Sequence, residues 1–172
     1  MSTQDQIDRL PGSTGEIGQI EVSLVLPIYN EEDSIEALYS KLTAVMQTLK
    51  ERYEMILVGD GSKDRSVEMI MKVAADDPHV RLIRLRRNFG QTPALAAGFD
   101  AAVGKVIIAM DADLQHNPEE IPKFLAKIDE GYDVVSGWRE KRVDNFIFRR
   151  IPSLVANRLM KYLSGVDLHD FG

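Results

Sequence analysis

The 172-residue chain carries 21 Lys and Arg against 27 Asp and Glu, a formal net charge of −6. This balance disfavours a nucleic-acid binder, because such proteins usually carry a basic excess. The chain has no cysteine, which excludes disulfide scaffolds, thiolate zinc sites and cysteine nucleophiles. Its length predicts one domain, and no apolar run reaches the roughly 18 residues of a membrane-spanning helix.

Apolar runs alternate with segments of helical periodicity along most of the chain. Strands are predicted over 22–28, 55–58, 80–85, 105–110 and 132–136. Helices are predicted over 35–49, 67–73, 92–103, 118–130 and 146–163. Gly98 in the third of these helices is expected to allow close packing. This alternation predicts an α/β protein with a mainly parallel central sheet covered on both faces.

Composition divides the chain into three parts. Residues 1–20 are rich in Gly, Ser and Thr and are expected to be a flexible lead-in. Residues 21–138 hold the predicted sheet and most of its helices. Residues 139–172 are a basic segment.

Three polar clusters follow three of the predicted strands. They occupy residues 29–32, 60–62 and 111–115. Because ligands of parallel sheets bind outside the carboxyl ends of the strands, we expect the clusters to converge on one crevice. Each cluster also has a simpler interpretation, as an ordinary tight turn or as a helix cap.

The third cluster has the spacing D-x-D-x-Q. Asp111 and Asp113 alternate along an extended segment and point the same way, and Gln115 continues that face with a neutral oxygen. Close carboxylates repel unless a cation neutralises them. Oxygen ligands favour a hard cation, so the pattern predicts a Mg²⁺ or Mn²⁺ site that holds a diphosphate.

Four motifs in order carry a resemblance to a known family. They are Leu-Pro-Ile-Tyr-Asn-Glu-Glu at 26–32, Val-Gly-Asp-Gly-Ser-Lys-Asp at 58–64, Arg-Asn-Phe-Gly at 87–90, and Asp-Ala-Asp-Leu-Gln-His-Asn-Pro-Glu at 111–119. The series resembles the GT-A-type inverting glycosyltransferases of family two. It is most similar to the polyprenyl-phosphate sugar transferases, such as dolichol-phosphate mannose synthase and the undecaprenyl-phosphate sugar transferases. The later segments 139–144, 148–150 and 170–172 are similar to the bacterial undecaprenyl-phosphate aminoarabinose-type transferases. The resemblance covers about residues 21–172 and implies a GT-A-type, Rossmann-like three-layer fold.

The resemblance also implies roles for single residues. Those that match the family's nucleotide pocket are Pro27, Tyr29, Glu31, Asp60 and Asp111, with the Asp60 carboxylate accepting a hydrogen bond from the base. The implied metal ligands are Asp111, Asp113 and Gln115. The implied catalytic residues are Asp113, Arg139 and Arg149.

The basic segment fits an anionic acceptor. Residues 138–165 hold seven basic and two acidic residues, a net +5, so the rest of the chain carries −11. An acceptor phosphate is already an anion at pH 7 and needs cationic positioning rather than a strong base. The residues expected to bind it are Arg142, Arg149 and Arg150. A solvated charged linker is the alternative interpretation of this segment.

The helix predicted over 146–163 has an apolar stripe beside its basic residues. Such a helix can lie in a membrane interface, and packing on the sheet or on another subunit of a homo-oligomer is the rival interpretation. The expected partners are therefore a nucleotide-sugar, a polyprenyl phosphate and a membrane surface. The expected location is the cytoplasmic face of the membrane, with membrane helices following beyond Gly172 as the resemblance implies.

Three functions stay open on the sequence alone. The first is metal-assisted transfer of a sugar, UDP-linked in the donor, to a polyprenyl phosphate. The second is a soluble glycosyltransferase acting on a saccharide hydroxyl, for which Asp170 is the late candidate base. The third is a non-catalytic nucleotide-binding domain. It is disfavoured by four intact polar residues, Asp60, Asp111, Asp113 and Gln115.

Overall fold

The computed structural model describes residues 8–9, 19–114 and 116–137. The strands are β1 (Asp8–Arg9), β2 (Val22–Ile28), β3 (Tyr53–Asp60), β4 (Val80–Leu85) and β5 (Val106–Ala109). The helices are α1 (Ile35–Met46), α2 (Ser66–Asp76), α3 (Gln91–Ala101), a 3₁₀ turn (Pro118–Glu120) and α4 (Ile121–Asp129). The chain divides into two units, the first ending at Lys123 and the second beginning at Phe124.

The sheet has the strand order β1-β4-β3-β2-β5. Strands β4, β3, β2 and β5 are parallel, and β1 pairs antiparallel with β4. The connections move outward from β2 through β3 to β4, and the chain then returns to place β5 on the other side of β2. This reversal puts a topological switch point between β2 and β5, where open α/β sheets bind their ligands.

The sheet and the helices on its two faces form three layers, because side chains alternate between the faces along each strand. On one face, Leu57 of β3 lines a small apolar space with Leu38 of α1 and Ile70 of α2. On the other face, the neighbouring Val58 belongs to a buried cluster with Ala94 of α3. Because adjacent strand residues point to opposite faces, α1 and α2 cover one side of the sheet and α3 covers the other. The predicted α/β fold with a parallel sheet is confirmed.

Helix α3 lies unusually close to the sheet. A Cβ on Gly98 would stand 2.3 Å from Val25 Cγ1 and 3.2 Å from Val58 Cγ2. Only a residue without a side chain fits at this contact, which confirms the expected role of Gly98. The close approach fixes the start of α3 relative to the carboxyl ends of β2 and β3.

A buried ion pair joins the amino ends of three strands. Glu54 is 4% exposed within the otherwise apolar β3. Its carboxylate accepts hydrogen bonds from Arg81 Nη1 at 2.5 Å, Ser23 Oγ at 2.6 Å and the Val103 N–H at 3.0 Å. The partners neutralise and solvate a charge that would otherwise be costly to bury. This network lies at the end of the sheet opposite the predicted crevice.

Two predictions about the end of the chain have different outcomes. The predicted strand over 132–136 is wrong, since residues 131–137 form a turn and irregular backbone. Val134 is 83% exposed there, and a short run of strand-forming residues needs a paired neighbour to become a strand. The helix predicted over 146–163 lies outside the described residues. Among the described helices, none is long and apolar enough to cross a membrane.

Candidate active site

The loops that follow β2 and β3 are bonded to each other. The Asn30 N–H donates to Ser62 Oγ at 3.1 Å, and the Lys63 N–H donates to Asn30 Oδ1 at 2.9 Å. Asn30 has a φ of 54°, a left-handed conformation that asparagine tolerates better than most residues. These bonds hold Tyr29, at the end of β2, beside the turn that follows Asp60.

Asp64 fastens the same two loops at a second point. Its Oδ1 accepts from the N–H and hydroxyl of Ser66 at 3.0 Å and 2.5 Å, and its Oδ2 accepts from the Glu32 N–H at 3.1 Å. Burial raises the pKa of the Asp64 carboxyl, but the hydrogen bonds from Ser66 and Glu32 outweigh it, so the net pKa lies below its ordinary value. Ser66 also accepts the Glu31 N–H at 2.8 Å.

We expect the Asp64 contacts to make stability depend on pH. The pKa of Asp64 is lower in the folded chain, so its stabilising effect is present above the unfolded value of about 3.9 and is lost as pH falls through the folded value. Asp64→Asn should therefore unfold at lower urea concentration than the wild type at pH 7, and the difference should shrink below about pH 4. Asp33→Asn, at an exposed position of the loop after β2, is the control. If the difference in unfolding urea concentration between the wild type and Asp64→Asn stayed constant from pH 7 to pH 2, this account would be contradicted.

Asp60 is buried at the carboxyl end of β3, with 3% of its surface exposed. Its Oδ1 accepts the Phe89 N–H at 2.8 Å and its Oδ2 accepts the Gly90 N–H at 2.9 Å. Each carboxylate oxygen has two lone pairs, so one acceptor site per oxygen remains after these bonds. Asp60 thus fixes the loop between β4 and α3 at the edge of the sheet where the crevice is predicted.

Gly61 lets this loop approach the turn after β3. Its φ is +64°, and a Cβ there would lie 2.2 Å from the Arg87 carbonyl carbon and 2.4 Å from the Asn88 nitrogen. The backbones of the two loops are therefore in direct contact. The dipeptide Asp60-Gly61 is a tight turn, as the simpler interpretation held, and it is also the place where two crevice loops meet.

The loop after β5 joins the same edge through Gln91, the first residue of α3. Gln91 Nε2 donates to Asp111 Oδ1 at 2.6 Å, and His116 Nε2 lies 3.4 Å from Asp111 Oδ2. Gln91 directly follows Gly90, whose N–H is bound to Asp60. Asp60 and Asp111 thus contact consecutive residues, Gly90 and Gln91, where the chain enters α3. The convergence of the three clusters on one edge is confirmed.

The D-x-D segment has a distorted backbone. Leu114 has a φ of 59°, a left-handed conformation that residues other than glycine rarely adopt. Asp113 precedes it and is exposed, and the side chain of Asp111 is 40% exposed. Strained backbone of this kind tends to cluster at functional sites.

The donor set suits a hard divalent cation. Within the described part of the chain, no group of three or more His, Cys, Asp or Glu side chains is arranged to hold a metal ion. Asp111 and Asp113 nevertheless supply accessible carboxylate oxygens on one short segment. Mg²⁺ takes only one or two carboxylates and fills its other positions with water and phosphate oxygens. Two partly exposed carboxylates at the edge where the loops converge meet that requirement.

The structure describes only some of the remaining predicted site residues. Pro27 is half-buried, and Tyr29 is 40% exposed at the crevice edge. The Glu31 side chain accepts the Ser34 hydroxyl at 2.6 Å, which places it at the start of α1. The predicted residues outside the described part are Gln115, Arg139, Arg142, Arg149 and Arg150. Gln91 and Ser66, which connect the loops, are crevice residues that the sequence motifs did not single out.

Comparisons with known proteins assign most of the chain to the family that its ordered motifs resemble. The family model described as glycosyl transferase family 2 matches residues 23–169. The dodecaprenyl-phosphate galacturonate synthase of Rhizobium johnstonii is 40% identical over 98% of this chain and 51% of its own length. The undecaprenyl-phosphate 4-deoxy-4-formamido-L-arabinose transferase of Klebsiella pneumoniae is 46% identical over 88% of this chain and 46% of its own. The chain thus spans about half the length of these curated relatives.

A solved structure shares the fold. Glucosyl-3-phosphoglycerate synthase from Mycobacterium tuberculosis, in complex with Mn²⁺, UDP and glucosyl-3-phosphoglycerate, superposes with a TM-score of 0.59. The alignment is 22% identical and covers 85% of this chain and 51% of that one. Its α/β architecture is the GT-A fold that the resemblance implied. With the ordered motifs, the crevice geometry and the family model in agreement, the chain belongs to glycosyl transferase family 2.

Proposed function

We propose that this protein transfers a sugar from a UDP-linked donor to a polyprenyl phosphate, inverting the configuration at the sugar C1 with help from Mg²⁺ or Mn²⁺. The observation that carries the proposal is the convergence of the three polar loops, with Asp60 and Asp111 bound to the adjacent residues Gly90 and Gln91 at the start of α3. Both curated relatives named above are polyprenyl-phosphate sugar transferases by name, which supports the acceptor class.

The donor nucleotide is proposed to lie against the joined loops after β2 and β3. Tyr29 presents an exposed ring on which a base can stack. Asp60 has free lone pairs for an N–H of the base even while it holds the Phe89 and Gly90 amides. Pro27 and Glu31 flank this position on β2 and the following loop.

The diphosphate is proposed to lie toward the loop after β5. Asp111 and Asp113, together with Gln115, would hold the divalent ion there. When bound, such an ion stabilises the negative charge that develops on the leaving diphosphate. The chain's own carboxylates orient that ion, and the loop after β5 keeps them beside the nucleotide position.

The acceptor phosphate is proposed to bind the basic segment 139–172. Its arginines suit a phosphate because a guanidinium donates two parallel hydrogen bonds to phosphate oxygens. Arg139 and Arg149 are assigned to the reacting phosphate, and Arg142 and Arg150 to its positioning. An ionised phosphate oxygen attacks C1 from the face opposite the leaving group, so no strong general base is required.

The lipid acceptor also suggests where the protein works. A polyprenyl phosphate stays in the bilayer and presents only its head group at the surface. We therefore place the reaction at the cytoplasmic face of the membrane, with membrane helices of the whole protein as its anchor. The net +5 of residues 138–165 favours contact with anionic lipid at that surface.

The direct test offers the 172-residue chain a panel of labelled UDP-sugars with polyprenyl phosphate in detergent and Mn²⁺. The expected product is a labelled lipid, whose label remains with the lipid after the free nucleotide has been removed. Parallel reactions offer saccharide acceptors in place of the lipid. Transfer to saccharide hydroxyls alone, or no transfer with any donor, would contradict the proposed acceptor.

Arg149→Ala is expected to separate acceptor binding from donor binding. If Arg149 binds the acceptor phosphate, the variant should lose about tenfold or more in lipid transfer, since a hydrogen bond to a charged group contributes about 1.5–3 kcal/mol. Its affinity for UDP, measured by calorimetry, should stay within about twofold of wild type. Arg158→Ala in the same basic segment is the matched control. A loss of UDP affinity in Arg149→Ala would move this arginine to the donor side.

A further inference from the structure

The side chain of Gln91 spans the distance between two parts of the crevice. Its backbone follows Gly90, whose N–H is held by the buried Asp60 carboxylate at 2.9 Å. Its side-chain amide donates to Asp111 Oδ1 at 2.6 Å. One residue therefore connects the end of β3 with the segment after β5, although 20 residues separate Gln91 from Asp111 in the chain.

The side chain of Gln91 is exposed, but its backbone is held in place by α3. It is the first residue of α3, whose first turn is closed by the Ala94 N–H donating to the Gly90 carbonyl at 3.2 Å. The helix is held on the sheet by the close contact of Gly98 with Val25. An amide donor on a packed helix keeps its position better than a donor on a loop.

Asp111, in contrast, lies on a segment without regular secondary structure. Its side chain is 40% exposed, so solvent and rotation about its side-chain bonds compete with any single orientation. The Gln91 amide fixes Oδ1, and His116 lies 3.4 Å from Oδ2. Because the Gln91 amide is neutral, it can hold the Asp111 carboxylate without cancelling its negative charge. A lysine at position 91 would neutralise that charge.

We propose that Gln91 is a positioning residue that orients the Asp111 carboxylate toward a nucleoside diphosphate and its divalent ion. Through Gly90 and Asp60, it also ties that orientation to the nucleotide end of the crevice. This inference rests on the proposed function, since it assumes that the crevice takes a nucleoside diphosphate. It assigns Gln91 no direct contact with the reacting atoms.

The test is a double-mutant cycle on UDP affinity, measured by calorimetry with the 172-residue chain in Mn²⁺. Gln91→Ala should weaken UDP binding by about 3- to 10-fold, the range of one lost hydrogen bond. In the Asp111→Ala background the same change should have less than about a twofold effect, because its partner is already gone. Gln47→Ala, at an exposed position just after α1, is the matched control and should bind UDP as wild type does.

A second readout needs neither metal nor nucleotide. The side-chain amide resonances of Gln91, observed by NMR, should shift when Asp111 is replaced by alanine and should not respond to Asp100→Ala. Unshifted resonances in Asp111→Ala would overturn the inference, and so would an equal loss of UDP affinity in both backgrounds or no loss in either. Those results would leave the proposed function intact, whereas a wild-type chain that binds no UDP in Mn²⁺ would overturn the proposed function and this inference together.

Discussion

Gly61→Ala is expected to destabilise the chain by about 3 kcal/mol, because two unfavourable effects coincide at this position. The positive φ of +64° disfavours any residue with a Cβ, and that Cβ would lie 2.2 Å from the Arg87 carbonyl carbon. The clash is with backbone, so no side-chain rotation can relieve it. The loop would have to move away and weaken the bonds from Phe89 and Gly90 to Asp60.

The measurement is the urea-unfolding free energy, with UDP affinity as a second readout. Gly131→Ala is the matched control, since Gly131 has a φ of +100° but a Cβ there would meet no atom within 4 Å. It should cost only about 1 kcal/mol, from the backbone conformation alone. An equal cost in the two variants would show that the close approach of the crevice loops contributes nothing.

Asp113→Ala is expected to lower sugar transfer by at least about 100-fold while the fold stays intact. Asp113 is exposed, so its removal opens no cavity. If it is a metal ligand, the variant loses electrostatic stabilisation of the leaving diphosphate, an effect that typically costs 10²–10³-fold in rate. The rate should recover in part as Mn²⁺ is raised, because weakened metal binding is compensated by mass action.

Asp100→Ala is the control for this experiment, since Asp100 is an exposed carboxylate near the carboxyl end of α3, away from the crevice loops. It should retain wild-type transfer. Asp113→Ala with wild-type turnover at limiting Mn²⁺ would remove Asp113 from the metal site. A fall in transfer accompanied by an equal fall in the unfolding midpoint would indicate a structural role instead.

The sheet was predictable because its strands are almost continuously apolar. The run from Val22 to Ile28 is buried on both faces, which is the pattern of a central parallel strand. The order of strands and helices then implied where the polar loops lie. The run over 132–136 shows the limit of this reasoning, because its residues have strand propensity but no strand among the described residues pairs with them.

The connections within the crevice were less predictable. Gln91 opens a helix, and nothing in its local sequence indicates that its amide reaches Asp111. Glu54 likewise sits in an apolar strand, and its pairing with Arg81 depends on the register between β3 and β4. Such contacts are set by strand register and helix placement rather than by spacing along the chain, so a single sequence does not reveal them.

The most direct test of the central claim is calorimetric titration of UDP into the chain, with Mn²⁺ and then with EDTA. If the loops after β3 and β5 hold a nucleoside diphosphate through a divalent ion, UDP should bind at least about tenfold more tightly with Mn²⁺ than with EDTA, because the ion neutralises carboxylates and phosphates that would otherwise repel each other. UMP, which lacks the second phosphate, should gain much less from the metal. Equal UDP affinity in Mn²⁺ and EDTA would contradict the account.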